Sequence, residues 1–186
     1  YRIMKIKSLT IYCSSSQKLD KKFYKMAKDI AKIISNHQIK VIYGGGNVGL
    51  MGEIARTLIK LNSDVVGIIP KFLIKKEKIN LKLTSLKVVT SMSMRKENLF
   101  KLGDAFLILP GGTGTLEEVA EALSWKILKL HNKPIIFLNF DNYWLPLIKQ
   151  FETIVKNKFG NKNLQNQFQV IKKPKQLNKI FHSWTK

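Results

Sequence analysis

The sequence predicts an α/β domain with a mostly parallel sheet covered by helices on both faces. Three observations predict it. Strand-like and helix-like patterns alternate from end to end of the 186 residues. The strand-like runs are almost continuously apolar, as strands buried on both faces must be. Two glycine clusters each follow a strand and open a helix, where ligand loops lie in open parallel sheets. The length suits one domain spanning residues 1–186, and no linker or internal repeat divides it.

The elements follow in order. Residues 9–13 form the first strand, and Phe23, Ala27, Ile30, Ala31 and Ile34 recur at helical spacing behind it. Residues 40–43 form the second strand, followed by a helix over about 48–61 and a third strand over 65–69. The lysine-rich stretch 71–85 has no periodicity and is expected to be a solvated loop, with a functional lid as the alternative. Residues 86–89 form the fourth strand, 94–102 a helix and 105–109 the fifth strand. Leu116, Val119, Ala120, Leu123, Ile127 and Leu130 then mark a helix with one buried stripe. A sixth strand over 134–138 and helices over about 144–158 and 174–184 complete the chain.

Composition excludes several classes. An apolar content of 45% fits a globular protein rather than a disordered one. No apolar run approaches the ~20 residues that a membrane helix needs. The N-terminus lacks a signal core, so a cytoplasmic protein is expected, with residues 1–3 read as a leader before Met4. One cysteine, Cys13, allows no internal disulfide, and His37, His131 and His182 have no metal-ligand spacing. Neither a metal nor a cofactor is expected. The net charge of +21 would suit a polynucleotide or an anionic surface. All but three of the 33 basic residues are lysine, however, spread along nearly the whole chain. That pattern reads as compositional bias rather than a nucleic-acid patch, since clustering on one face is what binding requires.

The chemistry is expected at the glycine clusters, residues 43–52 (Tyr-Gly-Gly-Gly-Asn-Val-Gly-Leu-Met-Gly) and 109–118 (Leu-Pro-Gly-Gly-Thr-Gly-Thr-Leu-Glu-Glu). Glycine lets the backbone approach a ligand closely, and free amides at a helix start favour an anion. Phosphate is the expected guest, held by Gly44, Gly45 and Gly46 and by Gly111, Gly112, Thr113, Gly114 and Thr115. The spacing Gly-x-Gly-x-x-Gly at Gly44, Gly46 and Gly49 suggests a dinucleotide, but the next strand ends Ile69-Pro70-Lys71 without the acidic residue that holds ribose. Neither a Gly-x-x-x-x-Gly-Lys-Ser/Thr loop nor a Gly-x-Ser-x-Gly elbow occurs.

Thr115 and Glu118 form a capping-box pattern, which competes with a functional role for Glu118. The functional reading puts this carboxylate in the first helical turn, ionised by the helix dipole, within reach of a nucleotide's sugar. An ionised carboxylate suits stabilising a ribosyl cation or orienting water better than donating a proton. Glu117, about 100° around the helix, is expected to be solvated. Arg95 is one of three arginines, and its planar fork suits phosphate or carboxylate, with Lys96 adding charge; a surface position is the alternative. Arg56, in mid-helix, is expected to be structural or solvated.

Together, Tyr43 to Gly46 with Gly49 to Gly52, Met92 to Lys96, and Pro110 to Thr115 with Glu118 resemble the LOG (LONELY GUY) family, cytokinin riboside 5′-monophosphate phosphoribohydrolases often labelled lysine decarboxylase. The likeness runs from Cys13-Ser14-Ser15-Ser16 through Gly67 to Lys71 and on to His131-Asn132-Lys133-Pro134. It implies a Rossmann-like, doubly wound fold and a homodimer. It further implies metal-free hydrolysis of a nucleoside 5′-monophosphate, AMP or an N6-substituted AMP, to free base and ribose 5-phosphate. By motif matching, Arg95 and Glu118 correspond to the catalytic pair, Gly111 to Thr115 to the phosphate loop, and Glu77 and Lys96 to substrate contacts. Two positions depart from the family: Ser93 stands where it has histidine, and Ser14 where it has glycine. A non-catalytic nucleotide-binding module is the rival reading. Nothing supports a pyridoxal phosphate site.

Overall fold

The computed structural model describes residues 6–79 and 83–184. Seven strands, β1 (Ser8–Tyr12), β2 (Lys40–Tyr43), β3 (Val65–Pro70), β4 (Ser85–Val89), β5 (Ala105–Ile108), β6 (Ile135–Leu138) and β7 (Gln169–Ile171), form one sheet in the order β4-β3-β2-β1-β5-β6-β7. Every pairing is parallel. The chain steps outward from β1 to β4, then returns beside β1 with β5 and proceeds to β7. The crevice beyond the ends of β1 and β5 is therefore the topological switch point, where ligands bind in such sheets.

Strand alternation divides the core into two layers. Leu9, Ile11, Val41, Tyr43, Ala105 and Leu107 pack on one face against α1 (Lys21–Asn36), α2 (Gly49–Lys60) and α7 (Leu177–Trp184). Tyr12, Ile42, Val66, Ile68, Phe106 and Ile108 pack on the other face against α4 (Met92–Leu102), α5 (Thr113–Ile127) and residues around the start of α6 (Leu145–Lys156). This is the doubly wound, Rossmann-like arrangement. The central strands β1, β3, β5 and β6 are buried throughout, which explains their unbroken apolar runs.

The sequence reading misses β7. That edge strand has three residues, of which only Ile171 is buried, so it carries no apolar run to detect. The first part of the stretch 71–85 is not the irregular loop expected: a 3-10 turn over Lys71–Leu73 leads into the one-turn helix α3 (Ile74–Glu77). Helix α4 begins two residues early because the Ser91 hydroxyl accepts from the Met94 amide. The expected leader at residues 1–3 lies outside the described residues. No described helix is long and apolar enough to cross a membrane, and no described group of His, Cys, Asp and Glu is placed to hold a metal ion.

Candidate active site

A cleft of about 340 Å³ opens at the switch point. The end of β1 and the following loop supply Tyr12 to Ser16, α4 supplies Met92, Arg95 and Lys96, and the start of α5 supplies Gly112 to Thr115 with Glu117 and Glu118. Gly44, Met51 and Glu77 close another side.

At one end lies the N-terminus of α5. Gly112 caps the helix in extended backbone, and the first helical hydrogen bond runs from the Leu116 amide to the Gly112 carbonyl. The amides of residues 113–115 consequently have no partner within the helix, and the dipole adds partial positive charge. A Cβ built on Gly112 or Gly114 would meet nothing within 4 Å. The fold itself does not require glycine at either position, and the open space beside them leaves the backbone of this turn accessible from the cleft. Gly111 differs: it does not line this cleft, and a Cβ there would fall 2.1 Å from the Thr115 hydroxyl.

The helix start corrects two expectations about Glu118. Because α5 begins at Thr113, Thr115 lies inside the helix, buried, and no side chain caps it, so the capping box does not form. Glu118 falls in the second turn, where the dipole is already weak. Burial therefore dominates and pushes its carboxyl up to about 8, against the opposing charge of Arg95 and with the help of Glu117. At neutral pH the free protein holds Glu118 mainly protonated.

The first glycine cluster is arranged differently from the expectation. The N-terminus of α2 is stoppered, because the Ser14 carbonyl accepts from the amides of Leu50 (3.0 Å) and Met51 (3.5 Å). Gly49, at φ 59°, lies so close to residues 14–16 that a Cβ would reach 2.6 Å from Ser15. The Leu50 and Met51 amides are thus taken up by the chain itself rather than left open to an anion. Gly44 lines the cleft, whereas Gly45 and Gly46 do not. A Cβ on Gly44 would lie 2.2 Å from Arg95 Nη2, and one on Gly46 would lie 2.9 Å from Glu77 Oε2. These glycines make room for an ion pair.

That pair is Arg95 with Glu77, at 3.4 Å. Arg95 is only 7% exposed, so it is not a surface residue. Its Nε donates to the Ile68 carbonyl (3.2 Å), and Nη2 donates to the Gly44 carbonyl (2.9 Å) and to Glu77. These bonds fix the guanidinium plane and leave Nη1 without a partner among the described residues. Burial pushes the Glu77 carboxyl up, and Arg95 pulls it back down.

Lys96 donates to Glu117 and Glu121, each at 2.9 Å, linking α4 to α5 across the cleft. Glu117 is thus ion-paired rather than simply solvated. Both carboxylates raise the pKa of Lys96. Arg56 is structural, donating to the Asn47 carbonyl and side chain and pairing with Glu53. Ser93 is exposed outside the cleft, while the Ser14 hydroxyl folds back to accept from the Ser16 amide. Sequence reasoning overlooked Tyr12, whose ring stacks on Phe106 with centroids 5.7 Å apart and whose hydroxyl titration is raised by burial and by Glu118. Met51 and Met92 stand inside the motifs already quoted, but nothing in the sequence marked their side chains as part of the cleft wall.

Residues 51–181 match the family model described as "possible lysine decarboxylase". A cytokinin riboside 5′-monophosphate phosphoribohydrolase of Rhodococcoides fascians is 40% identical over 147 residues, 78% of this chain and 74% of the relative. The chain belongs to the LOG family. Among other LOG relatives, one from Arabidopsis thaliana with the same enzyme name is 35% identical over 155 residues, covering 83% of this chain and 72% of its own length. A probable member from Oryza sativa subsp. japonica is 33% identical over 173 residues, covering 93% and 69%. Among solved structures, this LOG chain superposes on the molybdenum cofactor carrier protein of Chlamydomonas reinhardtii with TM-score 0.70 at 17% identity, covering 95% and 96% of the two chains. The molybdenum cofactor binding protein of Rippkaea orientalis gives TM-score 0.69 at 21% identity, covering 97% and 98%. At those identities the likeness is one of fold.

Proposed function

We propose that this protein hydrolyses the N-glycosidic bond of a nucleoside 5′-monophosphate, AMP or an N6-substituted AMP, to free base and ribose 5-phosphate. The observation that carries the proposal is one cleft that combines an open, amide-lined helix start with a neutral carboxyl one turn further on and a fixed guanidinium beside it. The names of the LOG relatives point to the same chemistry.

In this reading the phosphate rests on the amides of Gly112, Thr113, Gly114 and Thr115, and Arg95 offers its Nη1 donors to the phosphate or ribose. Protonated Glu118 gives its proton to the departing base as the bond between C1′ and nitrogen breaks, the electron pair leaving with the base. The carboxylate so formed stabilises the ribosyl cation. Water then adds to C1′ and returns a proton to Glu118, which closes the cycle. Gly44, Glu77 and Lys96 border the substrate in this account. Gly45, Gly46 and Gly111 act behind it, by giving space to the residues that do. No metal or cofactor takes part.

A homodimer fits the exposed Met94 and Leu116 on the helices that flank the cleft, and light scattering tests it. A cytoplasmic setting fits a single thiol, Cys13, and no disulfide. Incubation with AMP and N6-isopentenyl-AMP, followed by chromatography for free base, tests the activity. Release of base supports it, and nucleotide that is bound but unchanged points to a non-catalytic module.

A further inference from the structure

We infer that Tyr143 is a positioning residue for the anion-binding turn, acting through the peptide that joins Gly111 and Gly112. The inference rests on reading that turn as the phosphate site.

Strand β6 leads into a 3-10 turn over Phe140–Asn142, in which Asp141 (φ 55°) and Asn142 (φ 58°) both take left-handed backbone. Asp and Asn are the side chains other than glycine that best tolerate such angles, and they suit a tight turn here. Here the buried Asn139 side chain accepts from the Trp144 amide at 2.8 Å, and Asp141 pairs with Lys22. Trp144 in turn packs edge-on against Phe137. This turn delivers the Tyr143 hydroxyl to the loop between β5 and α5, where it donates to the Gly111 carbonyl at 2.6 Å.

The carbonyl and amide of a trans peptide point in opposite directions. Tyr143 and Gly111 face a second, largely apolar hollow of about 270 Å³ lined also by Phe23, Leu50 and Pro110. Gly112 borders both that hollow and the cleft. By holding the Gly111 oxygen on the hollow side, Tyr143 aims the Gly112 amide into the cleft. Without that bond the peptide is free to flip. A flip moves Gly112 from φ −91° to a positive φ, which glycine tolerates, and presents a carbonyl oxygen to the phosphate in place of an amide. Donor would become acceptor at the position where the anion binds.

The test is Tyr143→Phe, which removes the hydroxyl and keeps the ring. Binding of ribose 5-phosphate and of adenosine is measured by calorimetry on wild type and variant. The expected result is about tenfold weaker ribose 5-phosphate binding with adenosine binding within twofold. Tm should fall by no more than about 4 °C, as befits one lost hydrogen bond in a chain of this size. Unchanged ribose 5-phosphate affinity, or equal losses for both ligands, overturns the inference. Failure of wild type to bind ribose 5-phosphate overturns the phosphate site itself, whereas wild type that binds it without cleaving AMP overturns the hydrolytic reading alone.

Discussion

The guanidinium of Arg95 occupies the space that a side chain on Gly44 would need, with Nη2 only 2.2 Å from where a Cβ would stand. The absence of a side chain at residue 44 is thus what permits a buried cation at the wall of the cleft. Gly46 does the same for Glu77.

Gly44→Ala should therefore behave like a lesion of Arg95. We expect kcat/KM for AMP to fall at least ~100-fold, close to the effect of Arg95→Ala, since an oriented charged donor contributes on that scale. Gly114→Ala should do the opposite to the fold. Its Cβ enters open space in a helix, so stability should rise by roughly 0.5–1 kcal/mol while KM for AMP increases, because the methyl group intrudes on the anion. Thermal melts and steady-state kinetics on both variants check the contrast.

Glu118→Gln should abolish turnover, by ~100-fold or more, and leave nucleotide binding within a few-fold. It should also stabilise the protein in a pH-dependent way. The folded carboxyl titrates near 8, above the ordinary 4.5, so between these values the native state binds more protons than the unfolded chain. Stability of the wild type then falls as pH rises across that window. The full shift corresponds to about 5 kcal/mol as an upper bound, and because Glu118 lines an open cleft and keeps intermediate exposure we expect roughly 3 kcal/mol of relief in the glutamine variant at pH 8.5 and almost none at pH 4.5. Denaturant melts of both proteins at the two pH values check this.

A proton-donating Glu118 gives kcat/KM an alkaline limb, falling above about pH 8. Lys96 lowers this pKa and Glu117 raises it. Lys96→Met should accordingly move the limb to higher pH, and Glu117→Gln should move it to lower pH. Shifts in the same direction would contradict the electrostatic account.

The fold was largely legible because its central strands are buried on both faces and announce themselves as apolar runs. The edge strand β7 was not, since Gln169 and Val170 face solvent. At the site, the second glycine cluster was legible as the turn that ends a strand and opens α5. The first was legible only in part, since Gly44 lines the cleft, but a glycine that admits a ligand and a glycine that admits Arg95 look alike in sequence. The state of Glu118 was equally hidden, because it depends on where α5 begins and on how deeply the second turn is covered. Tyr143 lies 32 residues from Gly111, and only the return of β6 beside β5 brings them together.

The most direct measurement is the product balance for AMP. Wild-type protein and Glu118→Gln are incubated with it, and free adenine and ribose 5-phosphate are quantified together, with adenosine in parallel. Equimolar adenine and ribose 5-phosphate are expected from the wild type, turnover slower by ~100-fold or more from the variant, and far slower cleavage of adenosine, because phosphate binding supplies energy used at C1′. Equal turnover of AMP and adenosine, or full activity of Glu118→Gln, would contradict this mechanism.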